Sequence, residues 1–371
     1  MKEQIRVLHI LGGLNMGGIE NLLINIYRNI DREKVQFDFL IHQDTKQLFE
    51  DEIVSLGGKI KRLPNIKKVG ILNYIKLLKD FFCSNREYKI IHSHYNEISG
   101  IILFVATICK IKYKIAHSHI AYPNYSKKIH YFLFKILKLL INSNATYKFA
   151  CSKEAGEWLF NKENKFKVIS NGIEVKKFIY KIEEDIKIRK ELNCKKEDFN
   201  LVAIGRLTEQ KNHIFMLKIM KKLNRIDNNI KLYLLGEGEL EDKLKEYVEK
   251  NNIKNIYFLG VRKDTDKILN GMDLMLFPSL YEGLGIVAIE AQSNGLQVLA
   301  SKNVPKEADM DIGLFKSLDI IDSDIWVKEI LELKGKIKRN QDEKQIKKIQ
   351  ESNYNIITVT KELEKFYLEL E

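Results

Sequence analysis

Short apolar runs alternate with helix-length patterns along this chain, and the alternation begins twice. In the first half, residues 5–11, 35–42, 89–92, 113–116 and 148–151 are compact apolar runs with β-branched or aromatic content. Helical patterns at 19–29, 74–82, 99–109 and 128–141 lie between them. A second series of runs, at 201–204, 231–235, 256–259, 274–277 and 297–300, is spaced by helical patterns at 213–224, 239–251, 285–294 and 325–333. Segments 343–350 and 359–371 close the chain as helices. Near-continuous apolar strands separated by helices imply a parallel sheet covered on both faces. Two such series predict two doubly wound α/β domains. A charged stretch from the turn at 169–173 to about Lys196 reads as the connection between them. The expected division is 1–175, 176–350, and a helical segment 351–371 that packs back on the first domain.

The composition supports two solid cores: 371 residues, 45% hydrophobic and 30% charged, with only 4 Pro and no repeat. Cys83, Cys109, Cys151 and Cys194 are far apart in sequence and lack metal-ligand spacing. They read as reduced thiols of a cytoplasmic protein. The first apolar run is too short for a secretory leader. No uncharged run approaches the ~18–20 residues needed to span a bilayer. The net charge is +12, and residues 98–153 hold nine lysines and no Asp or Glu. Nucleic acid, anionic lipid and a phosphorylated substrate all account for such a surface. No zinc-finger, RNA-recognition or helix-turn-helix pattern supports nucleic acid.

The strongest chemical signal is the stretch from Ser279 to Ala291, which follows the run 274–277. It reads as strand, glycine loop and helix start, with Glu282 and Glu290 at its two ends. Backbone N–H groups and the helix dipole at such a start favour an anion. A carboxylate at each end suits neutral hydroxyls, and phosphate plus hydroxyls describes a sugar nucleotide. Taken alone, Glu282 also reads as a solvated loop residue and Glu290 as a helix ion-pair partner.

Three other loops fall at strand ends. The stretch from Gly12 to Glu20 carries the pairs Gly12-Gly13 and Gly17-Gly18 but is not GxGxxG, which argues against a nicotinamide dinucleotide. The stretch from Ala203 to Asn212 places Arg206 and Lys211 five residues apart, a spacing that lets both reach a diphosphate. Leu235-Gly236-Glu237-Gly238 is again strand and glycine loop. Ordinary turns and solvated cations are the bland readings of these three.

His92 and His94 end one strand of the first domain, and His117 and His119 end the next. Period two puts each pair on one face. Without a Cys, Asp or Glu partner at ligand spacing, a pocket wall that hydrogen-bonds hydroxyls fits better than a metal site, and for any one of the four a satisfied structural histidine is an equal reading. Asp264/Asp266, Asp309/Asp311 and Asp322/Asp324 read as caps or polar turns.

With these loops together, the chain resembles the retaining glycosyltransferases of family 4 nearly end to end, most closely bacterial capsular and exopolysaccharide members. The resemblance implies the GT-B fold, two doubly wound Rossmann-like domains facing a cleft. It implies that Arg206 and Lys211 neutralise the leaving diphosphate. Glu290 would hold the ribose, and Glu282 with the N–H groups of Gly283, Leu284 and Gly285 would contact the donor sugar. His119 would line the transfer site, with His92, His94 and His117 on the acceptor side. Gly17, Gly18, Gly205, Gly236 and Glu237 would approach the donor, and Arg262 would lie where the base sits. Gln297 departs from the family, where many members have Pro. The implied reaction moves a sugar from a nucleotide diphosphate, UDP in the first instance, to a growing surface glycan or lipid-linked acceptor. It uses no metal and no cofactor beyond the nucleotide sugar. An epimerase of similar shape, or an inactive subunit that binds nucleotide sugars, are the competing readings.

From Lys127 to Ile141 the chain carries a basic stripe on a wide apolar helix. That pattern suits either an interfacial helix on anionic lipid or a core helix with solvated lysines. The expected location is cytoplasmic, with peripheral contact at the inner face of the membrane.

Overall fold

A computed structural model describes residues 4–15, 17–120, 128–161, 165–336, 339 and 343–370. The chain divides into two compact units. The first comprises residues 1–173 and 353–371, and the second residues 174–352.

The first unit is built on a seven-stranded sheet in the order β3-β2-β1-β4-β5-β6-β7. Its strands are β1 (Ile5–Leu11), β2 (Val35–Ile41), β3 (Ile60–Arg62), β4 (Ile90–Ser93), β5 (Tyr113–Ser118), β6 (Tyr147–Ala150) and β7 (Lys167–Val168), all parallel. Every residue of β2 is buried, as expected of a strand covered on both faces. The short outer strands β3 and β7 escape the sequence pattern because β3 is only partly buried, β7 is exposed, and both carry basic residues. The final helix, Ile356–Glu369, lays Ile356, Val359, Leu363 and Tyr367 into the core of this unit at helical spacing.

The second unit holds a six-stranded parallel sheet in the order β10-β9-β8-β11-β12-β13. Its strands are β8 (Phe199–Ile204), β9 (Ile230–Leu235), β10 (Ile256–Gly260), β11 (Leu274–Phe277), β12 (Gln297–Ser301) and β13 (Phe315–Leu318). In both sheets the order reverses once, between β1 and β4 and between β8 and β11. Ligands of open α/β sheets bind outside the carboxyl ends of the strands at such a switch point.

One expectation is corrected. The charged stretch up to Lys196 is no free connection. It forms the helix Ile182–Glu191, tied to the rest of the second unit by Arg189 on Asp273, with Asp185 as a second partner of Arg189 within the helix. The thiols of Cys83 and Cys109 lie 3.8 Å apart because their helices pack side by side.

Candidate functional site

In the second unit, the loops that leave β8, β9 and β11 are laced together. Gly205 N–H donates to Leu235 O (2.9 Å), Leu207 N–H to Glu237 O (3.0 Å) and Leu280 N–H to Gln210 O (2.8 Å). Side chains add Gln210 to Tyr281 O (2.9 Å) and Asn212 to Pro278 O (3.2 Å). Glycine is required where two of these loops touch. Gly236 has φ +131, and a Cβ there would strike the carbonyl of Gly205. Asn212, at φ +55, turns the chain from the short 3-10 helix Glu209–Lys211 into the helix His213–Leu223.

Lys211 arches over Gly205 and ends on Glu282, Nζ to Oε1 at 2.6 Å, with its ammonium 4.9 Å from the centre of the Phe277 ring. The side chains of the pair are only 16% and 8% exposed. The two groups expected to serve diphosphate and sugar thus hold one another here. Arg206 next to them is exposed and makes no ion pair among the described residues.

Beyond Glu282 the loop ends at Gly285, whose φ of +90 starts the helix Ile286–Ser293. No side chain caps that start, so the first-turn N–H groups and the positive end of the dipole face the same loop. Glu290 lies one turn further on. Burial pushes its carboxyl up to about 7, against the pull of Lys177. Glu237 is exposed, and its carbonyl rather than its carboxylate anchors the loop.

Arg262, expected where the base sits, has partners of its own. Its guanidinium is already forked onto Asp264 (2.8 Å) and reaches Glu191 (3.0 Å), so it braces its own loop. Asp322 and Asp309 accept from the backbone of Asp324 and Asp311, as caps and turns do. Sequence reasoning missed His213. It is buried beside Lys211, and burial first, then the lysine charge, lower its imidazole to about 4.

In the first unit the loop after β1 carries Gly12, Gly13, Gly17 and Gly18. Gly17 precedes the helix Gly18–Asn29, again without a side-chain cap. A Cβ on Gly18 would meet open space, so the backbone there is approachable. The histidines are interior groups. His92 and His117 are 1% exposed, packed against Phe149, and His92 Nδ1 lies 2.7 Å from the Tyr367 hydroxyl. The expectation that His92, His94 and His117 form an acceptor-side wall is therefore corrected to a buried hydrogen-bonded cluster. Period two did pair them on one face, and β1 adds His9, whose signal was lost inside an apolar run. Two trios, His9/His92/His94 and His94/His117/His119, have nitrogens within 4.8 Å. The close N···N contacts run between strands, His9 to His94, His94 to His119 and His92 to His117, while His92 stacks on His94 and His117 on His119, and neither trio includes a carboxylate to offset a dication.

Residues 184–310 match the family model described as Glycosyl transferases group 1. The putative glycosyltransferase EpsF of Bacillus subtilis is 29% identical over 88% of this chain and 87% of its own. The chain is a GT-B glycosyltransferase. A UDP-Gal:alpha-D-GlcNAc-diphosphoundecaprenol alpha-1,3-galactosyltransferase of Escherichia coli is similar to it at 26% identity, over 81% of this chain and 80% of that protein. The glycosyltransferase has the fold of Anabaena Alr3699/HepE, solved in complex with UDP, at a TM-score of 0.80 and 17% identity. That match covers 99% of this chain and all of the other. In the first unit of the glycosyltransferase, the helix Lys128–Asn144 buries Phe134, Leu137 and Ile141 and leaves Phe132 and Leu139 67% and 65% exposed. Lys127 lies outside the described residues, as do the side chains of residues 128–131. No helix among the described residues is long and apolar enough to cross a membrane.

Proposed function

We propose that this glycosyltransferase moves a sugar from a UDP-sugar, with retention at the anomeric carbon, to a lipid-linked or growing surface-glycan acceptor at the inner face of the membrane. The observation that carries the proposal is the Lys211–Glu282 pair beside Arg206 and the uncapped start of the helix Ile286–Ser293. Breaking a sugar–phosphate bond leaves negative charge on the diphosphate. Cations and dipoles already aimed at that place lower the barrier without reorganising. Arg206 and the ammonium of Lys211 supply the charge, and the backbone at Gly283–Gly285 supplies N–H donors. Charge compensation of the leaving group then needs no metal ion. Glu282, released from Lys211, accepts from donor-sugar hydroxyls, and Glu290 accepts from the ribose.

Retention follows if the leaving phosphate takes the acceptor proton on the face it departs from. The similarity to family 4 favours that course. The UDP and lipid-linked acceptor of the reading draw on the E. coli relative, named for both, and on the UDP complex of the Anabaena protein. The exposed apolar side chains of the helix Lys128–Asn144 suit docking on the membrane that carries such an acceptor.

A thermal-shift screen across UDP-, GDP- and dTDP-sugars tests the donor. A ligand at a hundred times its Kd adds about 2.7 kcal/mol to folded-state stability. A response to UDP-sugars that vanishes in Arg206→Ala is expected. A response to GDP-sugars alone would overturn the UDP assignment, and an inverted anomer in the product would overturn retention.

A further inference from the structure

Three histidines of adjacent strands form one continuous hydrogen-bonded file. His9 Nδ1 lies 3.0 Å from His94 Nε2, and His94 Nδ1 lies 2.9 Å from His119 Nε2. His94 thus uses both ring nitrogens. The two nitrogens left over, His9 Nε2 and His119 Nδ1, are buried and have no partner among the described residues. The rings are neutral because burial lowers all three imidazoles, those of His9 and His119 to about 3.

Neutral imidazole carries one proton, so each ring donates on one side and accepts on the other. Three rings carry three protons. Two bridge the gaps, and the third sits at one end of the file. It is on His9 Nε2 or on His119 Nδ1, and fixing one end fixes the other. The inner end decides. His9 is enclosed by Phe37, Phe39 and Tyr367, with ring centres at 4.1, 5.7 and 6.4 Å. The Tyr367 hydroxyl is engaged by His92. An N–H among aromatic rings gains weak N–H···π attraction, whereas a bare lone pair gains nothing. The third proton therefore belongs on His9 Nε2.

We propose that His9 and His94 are positioning residues that hold His119 as its Nε2–H tautomer, so that its bare Nδ1 accepts a hydrogen bond from a sugar hydroxyl. Exposure rises along the file from 1% at His9 to 2% at His94 and 7% at His119, which makes His119 the outward end. The hydroxyl-accepting role rests on the proposed function, where His119 lines the transfer site. The tautomer assignment stands on the file alone.

The test is long-range proton–nitrogen NMR on the full chain labelled with 15N-histidine, which reports the protonated nitrogen of each ring. His119 is expected with a proton on Nε2 and none on Nδ1. His94→Asn keeps one acceptor and one donor and should preserve that pattern. His94→Leu removes the acceptor for His119 Nε2–H and should give averaged signals from exchanging tautomers. An Nδ1–H or doubly protonated His119 in the wild type would overturn the file, with no variant required. So would a His119 as sharply locked in a folded His94→Leu protein as in the wild type. Zinc sulfate at one equivalent should leave the nitrogens in place, and a joint shift of all three rings would make the cluster a metal site instead. The transferase reading is separated by His119→Ala. Undiminished transfer in that variant removes His119 from the sugar site and leaves the tautomer result intact. A failed tautomer pattern alongside an inactive His119→Ala removes only the file.

Discussion

Lys211 Nζ and Glu282 Oε1 lie 2.6 Å apart, joining the loop after β8 to the loop after β11 across the switch point of the second sheet. One partner is expected to meet the diphosphate and the other the sugar, so substrate entry must part them. Removing one member strands the other in a largely buried setting, which costs about 3 kcal/mol or more. Lys211→Ala is therefore expected to lower stability and abolish slow donor hydrolysis. Lys211→Met with Glu282→Leu should recover most of the stability and none of the activity. Chemical denaturation and a hydrolysis assay on the same preparations check this, and parental hydrolysis in Lys211→Ala would remove the residue from the site.

The Glu290 carboxyl, raised to about 7 from an ordinary 4.5, gives a second test. The folded state binds this proton more tightly than the unfolded state. Its contribution to stability is full below about 4.5 and is lost as pH rises towards about 7. Glu290→Gln removes that loss and is expected to be more stable than the parent at pH 8, by on the order of 1 kcal/mol. Donor affinity should move the other way, rising with pH through about 7 in the parent as the carboxylate forms to accept ribose hydroxyls, and staying low and flat in Glu290→Gln. Calorimetric donor titrations at pH 6 and 8 read it.

The histidine cluster has the opposite acid response. His9 and His119 fall to about 3, so the folded state keeps them neutral while the unfolded chain takes up protons below about 6.5. Their contribution is full above 6.5 and is lost as pH falls towards 3. The slope is about 1.4 kcal/mol per pH unit for each histidine. Urea unfolding at pH 7, 6 and 5 should show steep acid destabilisation, and His9→Phe should make it shallower. An unchanged slope would mean that His9 does not contribute.

Glycines at the site divide by what surrounds them. Gly236→Ala meets the Gly205 carbonyl at φ +131 and should cost about 3 kcal/mol, with loss of donor binding. Gly260→Ala has φ +63 but open space, and should cost about 1 kcal/mol. Equal costs would show that the close approach of the two loops is not what demands glycine.

Sedimentation with vesicles tests the helix Lys128–Asn144. Phe132 and Leu139 are largely exposed, and each buried aromatic or aliphatic side chain is worth roughly 1.5–3 kcal/mol. Binding to anionic and not to neutral vesicles is expected, falling about tenfold or more in Phe132→Ser with Leu139→Ser. Equal binding to both vesicle types would count against docking.

The sequence by itself determined the alternation that makes two parallel sheets, because strands covered on both faces must be apolar along their whole length. It also marked Arg206, Lys211, Glu282 and the glycine loops, since each stands at the end of such a strand. It could not show that Lys211 and Glu282 hold one another, because residues 71 apart meet only when β8 and β11 become neighbours. Period two paired His92 with His94 and His117 with His119, but a pattern along one strand is silent about the next. Only the register that sets His9 beside His92 on β4, and places β5 alongside, turned the supposed wall of His92, His94 and His117 into a buried cluster. The physical reason is common to both cases. Local pattern fixes which face a side chain takes, and tertiary pairing fixes what it meets there.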